Sequence, residues 1–487
     1  MESHFLPFRK QIIGIDAAIE TPYGQKPLVY ADWTASGRMY GPIEEKLMQY
    51  VYPNVGNTHT DTSFTGSAMT MAYHEAIQLI KRHVGASKDD VLISSNSGMT
   101  GVVNKLQRIL GLKVHERFRK SIDIPETDRP IVFCTHMEHH SNQTSWLETI
   151  ADVEVIAPDQ HGLVDLQHLA QLLEKYQNRK QKIAAITSYS NVTGIATPYH
   201  TIAAMMHEAG GLCFVDFACS APYIPINMHP ERPEERLDAI YFSPHKFLGG
   251  PGSSGIVIFN KALYNNQVPD HPGGGTVDWT NPWGEHKYLD DIELREDGGT
   301  PAFIPTMRVA MSIQLKEQMG VVPIRDREKE IVDRVWDKLR SFKGVHVLAD
   351  KIKKRLPIFS FYIENLHFNL AVRILNDRFG IQTRGGCSCA GTYGHYLLHV
   401  DKEQSHSITQ AISEGDYSKK PGWVRMSLHP TNTNKEIDYI LDAIAALAEN
   451  HIEWSKDYLC DLQHNNIRHK SRETSAIKEL IDHIYYR

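Results

Sequence analysis

A lysine in a glycine-rich turn has the setting most suggestive of chemistry. Residues 238–259 read DAIYFSPHKFLGGPGSSGIVIF, in which the runs DAIYFS and GIVIF are short and apolar, as buried strands are. Gly249, Gly250 and Gly252 break any helix between them and predict a tight loop. A lysine held at such a loop, Lys246, can form a Schiff base with an aldehyde cofactor. It can also be an ordinary surface lysine beside a turn.

An aspartate at the end of another apolar run favours the first interpretation. The run LCFV ends in Asp216, where packing gives a carboxylate no reason to stand. Such a carboxylate can pair with the protonated ring nitrogen of pyridoxal phosphate and strengthen the ring as an electron sink. It can instead cap the next turn, which is a common use of aspartate. Because the two runs predict neighbouring parallel strands, we expect Asp216 and Lys246 to follow adjacent strand ends.

Nine short motifs follow one another along residues 29–446. They are ADWTAS (31–36), NTH (57–59), MEHHSN (137–142), SNVTG (190–194), VD (215–216), SPHK (243–246), GGGT (273–276), GTP (299–301) and RGGCSCA (384–390). Each is weak alone, but together and in this order they resemble the class V aminotransferase family of pyridoxal-phosphate enzymes. Within that family they resemble the branch of cysteine desulfurases and selenocysteine lyases. The resemblance implies a fold-type-I α/β architecture, with a large domain whose mostly parallel sheet is covered by helices and a smaller C-terminal α/β domain.

The resemblance also implies a pyridoxal 5'-phosphate site and the roles of its residues. Lys246 would form the Schiff base, His139 would stack on the cofactor ring, and Asp216 would pair with the ring nitrogen. Asn191 would lie beside the substrate and cofactor, and Arg384 would bind the substrate carboxylate, which its planar guanidinium matches. The implied phosphate ligands are Gly98, Met99, Thr100, Ser243 and His245. The first three open a predicted helix, whose N-terminus favours an anion.

The motif at residues 384–390 indicates the reaction. In the family pattern Arg-x-Gly-x-x-Cys-Ala, Cys389 aligns with the cysteine that accepts sulfur as a persulfide while alanine is released. A thiolate suits that step because it is the nucleophilic form of cysteine. A lone cysteine is more often a small buried residue, but the neighbouring glycines and Ser388 favour an exposed loop. Cys387 makes a Cys-x-Cys pair that could relay sulfur or protect the nucleophile. We expect no metal site, because no second paired-cysteine motif completes four ligands.

The expected partners follow from the same resemblance. Thr276, in the GGGT motif, would reach the phosphate bound by the other subunit, which implies a homodimer. The substrate would be a small amino acid, and the sulfur acceptor a protein or a small thiol. Rival interpretations on the same fold are a carbon–sulfur lyase, an epimerase or an aminotransferase without persulfide transfer. A rival from another class is a cofactor-bound regulatory protein without turnover.

Three features depart from the family pattern. Cys219 stands where the family usually has a glutamine that donates to the cofactor, and a thiol is a weaker donor. Residues 99–101 read Met-Thr-Gly in place of Thr-Thr-Glu. About 30 residues separate the cysteine motif from the next family-like strand, and so long a segment, residues 391–421, predicts a lid over the cysteine.

Composition limits the classes of partner and compartment. With 52 basic and 58 acidic residues the chain has a formal net charge of -6, which gives no electrostatic reason to expect nucleic acid or an anionic membrane. Six cysteines without a framework-like spacing indicate a reducing compartment. No apolar run approaches about 18 residues, so no membrane helix is predicted. We therefore expect a cytoplasmic protein.

The elements that must position these residues can be read from the hydrophobic pattern. Helical segments such as AMTMAYHEAIQLIKRHVG alternate with strands such as KIAAITSYS, which is typical of a mostly parallel sheet. We expect an N-terminal arm over residues 1–27 and the cofactor-binding domain over 28–300. A linker helix and the small domain would occupy 301–448, and a polar helical extension 449–487.

Overall fold

A computed structural model describes residues 1–58, 60, 62–119, 121–471 and 476–486. His59 of the NTH motif and residues 472–475 and 487 of the expected extension lie outside the described residues. The chain forms two units. The large unit contains residues 35–190 and 196–321, and the small unit contains residues 1–34, 191–195 and 322–487.

The large unit is built on a seven-stranded sheet. Its strands lie in the order Asp90–Ser95, Gly255–Asn260, Ala239–Phe242, Leu212–Asp216, Lys182–Thr187, Ile131–Thr135 and Asp152–Ile156. Six strands share one direction, and Gly255–Asn260 runs antiparallel to both of its neighbours. This topology confirms the mostly parallel sheet. It also confirms that the strands ending in Asp216 and just before Ser243 are parallel neighbours.

Helices cover this sheet, and its central strands are accordingly buried along nearly their whole length and mostly apolar. The α-helices are Gly41–Lys46, Phe64–His83, Gly98–Ile109, Glu116–Arg119, His140–Leu147, Leu166–Lys175, Tyr199–Glu208, Ile292–Arg295 and Phe303–Met319. Shorter elements are the π-helix Leu47–Val51, the 3-10 turns Tyr52–Asn54, Pro233–Glu235, Pro244–Lys246 and Lys261–Leu263, and the hairpin of Val277–Thr280 with His286–Tyr288. The helix Gly98–Ile109 buries Val102 and Leu106 against Val257 and Phe259 of the sheet.

The small unit has an antiparallel four-stranded sheet. Its strands lie in the order Val345–Val347, Ile358–Ile363, Trp423–Ser427 and Arg384–Gly386. Its helices are Glu2–Arg9, Val321–Ser341, Phe368–Phe379, Gly391–Leu397, Lys402–Ser413, Asn434–Ser455 and Ala476–Tyr485. Val335, Phe361, Ile374 and Ile440 are among the residues that form its apolar core.

The beginning of the chain packs within the small unit. The guanidinium of Arg9 donates to the carboxylate of Glu436 at 2.8 Å. A hairpin of Ala18–Thr21 with Gly24–Pro27 follows, and then Val29–Tyr30 pairs in parallel with Ile381–Gln382. Residues 1–34 therefore complete a unit whose other residues come mostly from the far end of the chain.

The last stretch of the chain differs from the helical extension expected from sequence. Between its helices, Tyr458–Asp461 pairs with Asn466–His469 as a β-hairpin. Asn465 has φ +53 in the turn, a conformation that asparagine tolerates better than most residues. Tyr458 is buried at the start of the hairpin. This part of the chain is therefore neither entirely helical nor entirely polar. Among the described residues, no helix has both the length and the apolar character needed to cross a membrane.

Candidate active site

Asp216 is the last residue of a central strand of the large unit, and its carboxylate is buried. Oδ1 accepts the backbone N–H of Ala218 at 2.7 Å. Burial raises the pKa of Asp216 to about 6, although the Ala218 hydrogen bond and the positive charge of Lys246 lower it. The carboxylate is thus within electrostatic range of Lys246, and a further positive charge beside it would favour its ionised form.

Lys246 lies in a single 3-10 turn directly after the neighbouring strand. The turn Pro244–Lys246 begins after Ser243, whose carbonyl accepts the backbone N–H of Lys246 at 3.1 Å. Burial and the charge of Lys246 lower the pKa of His245 to about 4, so its ring is neutral at neutral pH. The strand pairing therefore brings Lys246, His245 and Asp216 to one edge of the sheet, as the sequence predicted.

Close backbone contacts fix the shape of this turn. Gly37 donates its N–H to the carbonyl of His245 at 2.9 Å, and a Cβ on Gly37 would lie 1.9 Å from the carbonyl oxygen of Phe247. A Cβ on Gly250 would lie 2.0 Å from the carbonyl oxygen of Pro244. Neither distance leaves room for a Cβ atom, so both positions that pack against the backbone of the lysine turn, 37 and 250, require glycine.

The predicted phosphate ligands meet at the N-terminus of Gly98–Ile109. The hydroxyl of Ser243 accepts the backbone N–H of Met99 at 2.8 Å. The hydroxyls of Thr100 and Ser141 lie 2.7 Å apart. A cavity of about 480 Å³ opens beside this helix end. Its lining includes Ser36, Ser97, Gly98, His245, Gly252 and Ser253.

These residues fit pyridoxal phosphate. The helix N-terminus and the hydroxyls around the cavity suit a phosphate group. The buried Asp216, whose pKa is raised by its surroundings, suits a protonated pyridine nitrogen that would restore its ionised state. Lys246 supplies the amine beside them. These residues thus match the cofactor's phosphate at one end and its protonated ring nitrogen at the other.

His139 stands immediately before the helix His140–Leu147 and caps it. Its Nδ1 accepts the backbone N–H of Ser141 at 3.1 Å, which fixes the orientation of the half-buried ring. Its neighbour Glu138 is buried and accepts hydrogen bonds from Thr135, Asn142 and Thr187. Burial raises the pKa of Glu138 to about 8. Glu138 lies within the MEHHSN motif, and its buried hydrogen bonds give it a structural role there that the sequence pattern does not reveal.

Two other positions in the large unit have partners within the chain. The thiol of Cys219 donates to the carbonyl of Tyr189 at 2.9 Å, so its hydrogen is directed to the backbone. The hydroxyl of Thr276 donates to the carbonyl of Gly273 at 2.7 Å, inside its own turn. Its role toward a second subunit stays a prediction.

The small unit holds the residues predicted for substrate binding and sulfur transfer. Arg384 and Arg425 face each other across two antiparallel strands, and both bind Asp32. Nε of Arg384 lies 3.0 Å from Oδ2, and Nη2 of Arg425 lies 2.8 Å from Oδ1. Two cations share one carboxylate, so the group retains a positive charge that suits an anionic substrate.

Asn191 contacts the cysteine loop. Its Nδ2 donates to the carbonyl of Ser388 at 2.8 Å, and its own carbonyl accepts Nη1 of Arg425 at 3.1 Å. Ser388 and Cys389 both have positive φ, +51 and +57. Cys389 is exposed, as the sequence predicted for its loop, and Cys387 is partly buried.

Asp32 and Arg425 are the site residues that sequence reasoning missed. Asp32 stands inside the ADWTAS motif and Arg425 in the family-like strand after residue 421, but neither was assigned a role from sequence. Arg425 interrupts the apolar strand WVRMS, and Asp32 ends the run LVYA, so each is a charged residue where the pattern predicts burial. A charge in such a place requires a partner. Among the described residues, no group of His, Cys, Asp and Glu could hold a metal ion.

Comparisons with known proteins identify a family and similar chains. Residues 29–440 match the family described as Aminotransferase class-V. A relative from Halalkalibacterium halodurans named "Probable cysteine desulfurase" is 28% identical over 75% of this chain and 84% of its own. The cysteine desulfurase of Haloferax volcanii is 24% identical over 87% of this chain and 90% of its own.

Solved structures share the fold. The apo cysteine desulfurase of Thermococcus onnurineus has a TM-score of 0.70 at 22% identity, covering 87% of this chain and 95% of that one. A cysteine desulfurase of Escherichia coli, determined with an S-sulfonic acid, also has a TM-score of 0.70, at 20% identity, covering 91% of this chain and 98% of that one.

Proposed function

The chain belongs to the class-V aminotransferase family of enzymes, and on that premise we propose that it is a pyridoxal-phosphate-dependent cysteine desulfurase. The substrate is cysteine or its selenium analogue. The products are alanine and a persulfide, or its selenium counterpart, on Cys389. The observation that carries the proposal is that Asp216 and Lys246 follow the ends of adjacent parallel strands, within electrostatic range of each other. The exposed Cys389 in the family's sulfur-transfer motif supports it.

The large unit supplies cofactor binding and proton transfer. Pyridoxal phosphate, when bound, supplies an aldehyde that captures the substrate amine and a ring that delocalises the charge left at the α-carbon. Asp216 would keep the ring nitrogen protonated, and His139 would cover the ring. Ser243, His245 and the helix end at Gly98, Met99 and Thr100 would bind the phosphate. Lys246 holds and moves the α-proton at its Nζ.

The small unit supplies substrate binding and the nucleophile. Arg384 binds the substrate carboxylate with the part of its guanidinium not engaged by Asp32, and Asn191 orients the loop that carries the nucleophile. The Cys389 thiolate attacks the substrate sulfur. A sulfur–sulfur bond forms, the carbon–sulfur bond breaks, and the three-carbon product leaves as alanine after protonation at its β-carbon.

We also propose that the enzyme acts as a homodimer, with Thr276 of one subunit contributing to the phosphate site of the other. Thr276→Val tests this, because it removes the hydroxyl and retains the shape of the side chain. The variant should need a higher cofactor concentration for half-saturation. If its cofactor affinity equals that of the wild type, Thr276 has no such role.

The function is tested by incubating the purified holoenzyme with sulfur and selenium amino acids and identifying products and adducts by mass spectrometry. Cysteine should give alanine in the same amount as its sulfur, and that sulfur should be recovered either on the peptide that contains Cys389 or as sulfide released from it. Cys389→Ser should lose both products, whereas Cys460→Ser, a matched change at another exposed cysteine, should retain them. Pyruvate would instead identify a carbon–sulfur lyase, and an isomer or a keto acid would identify an epimerase or an aminotransferase.

A further inference from the structure

We infer that Cys387 is a resolving cysteine, which attacks sulfur-loaded Cys389, forms a Cys387–Cys389 disulfide and releases hydrosulfide. This inference rests on the proposed function, because it starts from the persulfide on Cys389. It adds an activity to that function. The enzyme would release its sulfur as a free inorganic ion without waiting for an acceptor to collect it.

The two thiols are joined by one tight turn. The backbone N–H of Ala390 donates to the carbonyl of Cys387 at 3.0 Å, which closes a turn over residues 387–390. Ser388 and Cys389, its two central residues, both have positive φ. A chain that reverses within four residues keeps the Cα atoms of the first and third residues within the range of about 4.4–6.8 Å that a disulfide accepts.

The residue that anchors the turn is Ser388, which lies between the two cysteines. Asn191 donates to the carbonyl of Ser388, and Ser388 is only 8% exposed. Ala390, at the end of the turn, is fully buried. Cys389 is nevertheless exposed and Cys387 is partly exposed. The backbone of the turn is therefore held, while both cysteine residues keep some exposure to solvent.

Among the cysteines of the chain, Cys387 is the one placed for this reaction. Cys134, Cys213 and Cys219 are buried in the large unit. Cys460 is exposed, but it lies on the hairpin strand Tyr458–Asp461 and not in the turn. Because only one residue separates Cys387 from Cys389, closure of the ring between them costs little chain entropy.

The exchange is balanced without an added oxidant. The Cys387 thiolate attacks Sγ of Cys389, so a Cys387–Cys389 sulfur–sulfur bond forms. The bond from Cys389 to its outer sulfur breaks, and that sulfur takes the electron pair and leaves as hydrosulfide. The Cys387 sulfur is oxidised, and the departing sulfur is reduced. A dithiol reductant must then reduce the disulfide before the next turnover.

The experiment uses the holoenzyme in buffer without added thiol, together with one equivalent of cysteine. After a single turnover the protein is alkylated, and the mass of the peptide containing residues 387 and 389 is measured by mass spectrometry. Released sulfide and alanine are quantified in the same sample. The wild type should release about one equivalent of sulfide per alanine. Its peptide should be two hydrogens lighter and resist alkylation until a dithiol is added. Cys387→Ser should keep an extra sulfur on Cys389 and release no sulfide, and Cys460→Ser should match the wild type.

Alanine formation with a persistent persulfide in the wild type would overturn the resolving role and leave the proposed function intact. Absence of alanine in the wild type would instead overturn the proposed function, and the inference with it. The peptide mass of the wild type decides the question even if Cys387→Ser fails to fold.

Discussion

Arg384 and Arg425 are directly opposite each other on neighbouring strands and bind the two oxygens of one carboxylate, that of Asp32. The two arginines differ in their surroundings. The Arg384 side chain is 49% exposed and that of Arg425 is 4% exposed. The buried Arg425 therefore holds Asp32 in place, whereas the exposed guanidinium of Arg384 remains available to a ligand.

The two arginines should respond differently to the same substitution. Arg384→Ala should raise KM for cysteine by about 10–150-fold, the effect of losing charged hydrogen bonds of roughly 1.5–3 kcal/mol. It should change the free energy of unfolding by less than about 1 kcal/mol. Arg425→Ala leaves a buried carboxylate short of its partner and should cost about 3–5 kcal/mol of stability. Steady-state kinetics and urea denaturation check both values. Equal loss of stability in the two variants would contradict the assignment.

Lys246→Ala should abolish the visible absorbance of the bound cofactor and lower turnover by at least about 10²–10⁴-fold, because the amine that moves the α-proton is removed. Lys261→Ala is the matched control, since Lys261 is a surface lysine of the same unit whose ammonium is paired with Asp89. Spectra of the two purified variants provide the measurement. An active, normally absorbing Lys246→Ala would exclude this lysine from the reaction.

Asp216 should make the stability of the cofactor-free protein depend on pH. Burial raises its pKa from 3.8 to about 6 in the folded protein, so the folded state binds the proton more tightly than the unfolded state does. Its contribution is fully present below pH 3.8 and is lost as pH rises to about 6, by roughly 3 kcal/mol. Urea denaturation across this range should show the decline in the wild type and a flatter curve in Asp216→Asn. Bound cofactor should reduce the decline. Identical curves for the two cofactor-free proteins would contradict the prediction.

Asn191→Ala removes the amide that holds the carbonyl of Ser388, a loss of about 1–3 kcal/mol for a buried hydrogen bond. We expect persulfide formation to slow by roughly 10-fold while cofactor absorbance persists. Asn369→Ala provides a control, because that amide bonds to Asn465 on the small-unit surface. Rapid-quench measurement of alanine tests the rate. Loss of cofactor absorbance in Asn191→Ala would favour the direct cofactor contact implied by the family resemblance.

The segment 391–421 is predicted to restrict access to the persulfide. It contains the helices Gly391–Leu397 and Lys402–Ser413, and the second of these buries none of its residues. Tyr393 should be kept, because it is buried and its hydroxyl lies 3.3 Å from that of Thr193. Deletion of residues 402–413 should speed discharge of the persulfide to small thiols and leave the cofactor absorbance unchanged. If discharge keeps its original rate to every acceptor, the segment is only a spacer.

The sequence predicted local features well, because they depend on neighbouring residues. The apolar runs before Asp216 and Ser243 became adjacent parallel strands, and the loop of Cys389 is exposed. The contact of Asp32 with Arg384 and Arg425 could not be predicted, because Asp32 is more than 350 positions away from each arginine along the chain. Periodicity carries no information about which strand edge an isolated charge will reach. The hairpin at Tyr458 was missed for a related reason, since its short strands owe their stability to tertiary packing.

The small unit is assembled from residues 1–34, 191–195 and 322–487, and this order matters while the chain is being made. Residues 1–34 are synthesised well before the partners of Arg9 and of Val29–Tyr30, which are Glu436 and Ile381–Gln382. At about 5–20 residues per second, the roughly 350 residues between Tyr30 and Ile381 take about 20–70 seconds to synthesise. Throughout that interval the apolar side chains of Phe5 and Val29 have no core to enter. Until then these apolar side chains stay exposed on the nascent chain, which is the kind of surface that favours aggregation or chaperone binding.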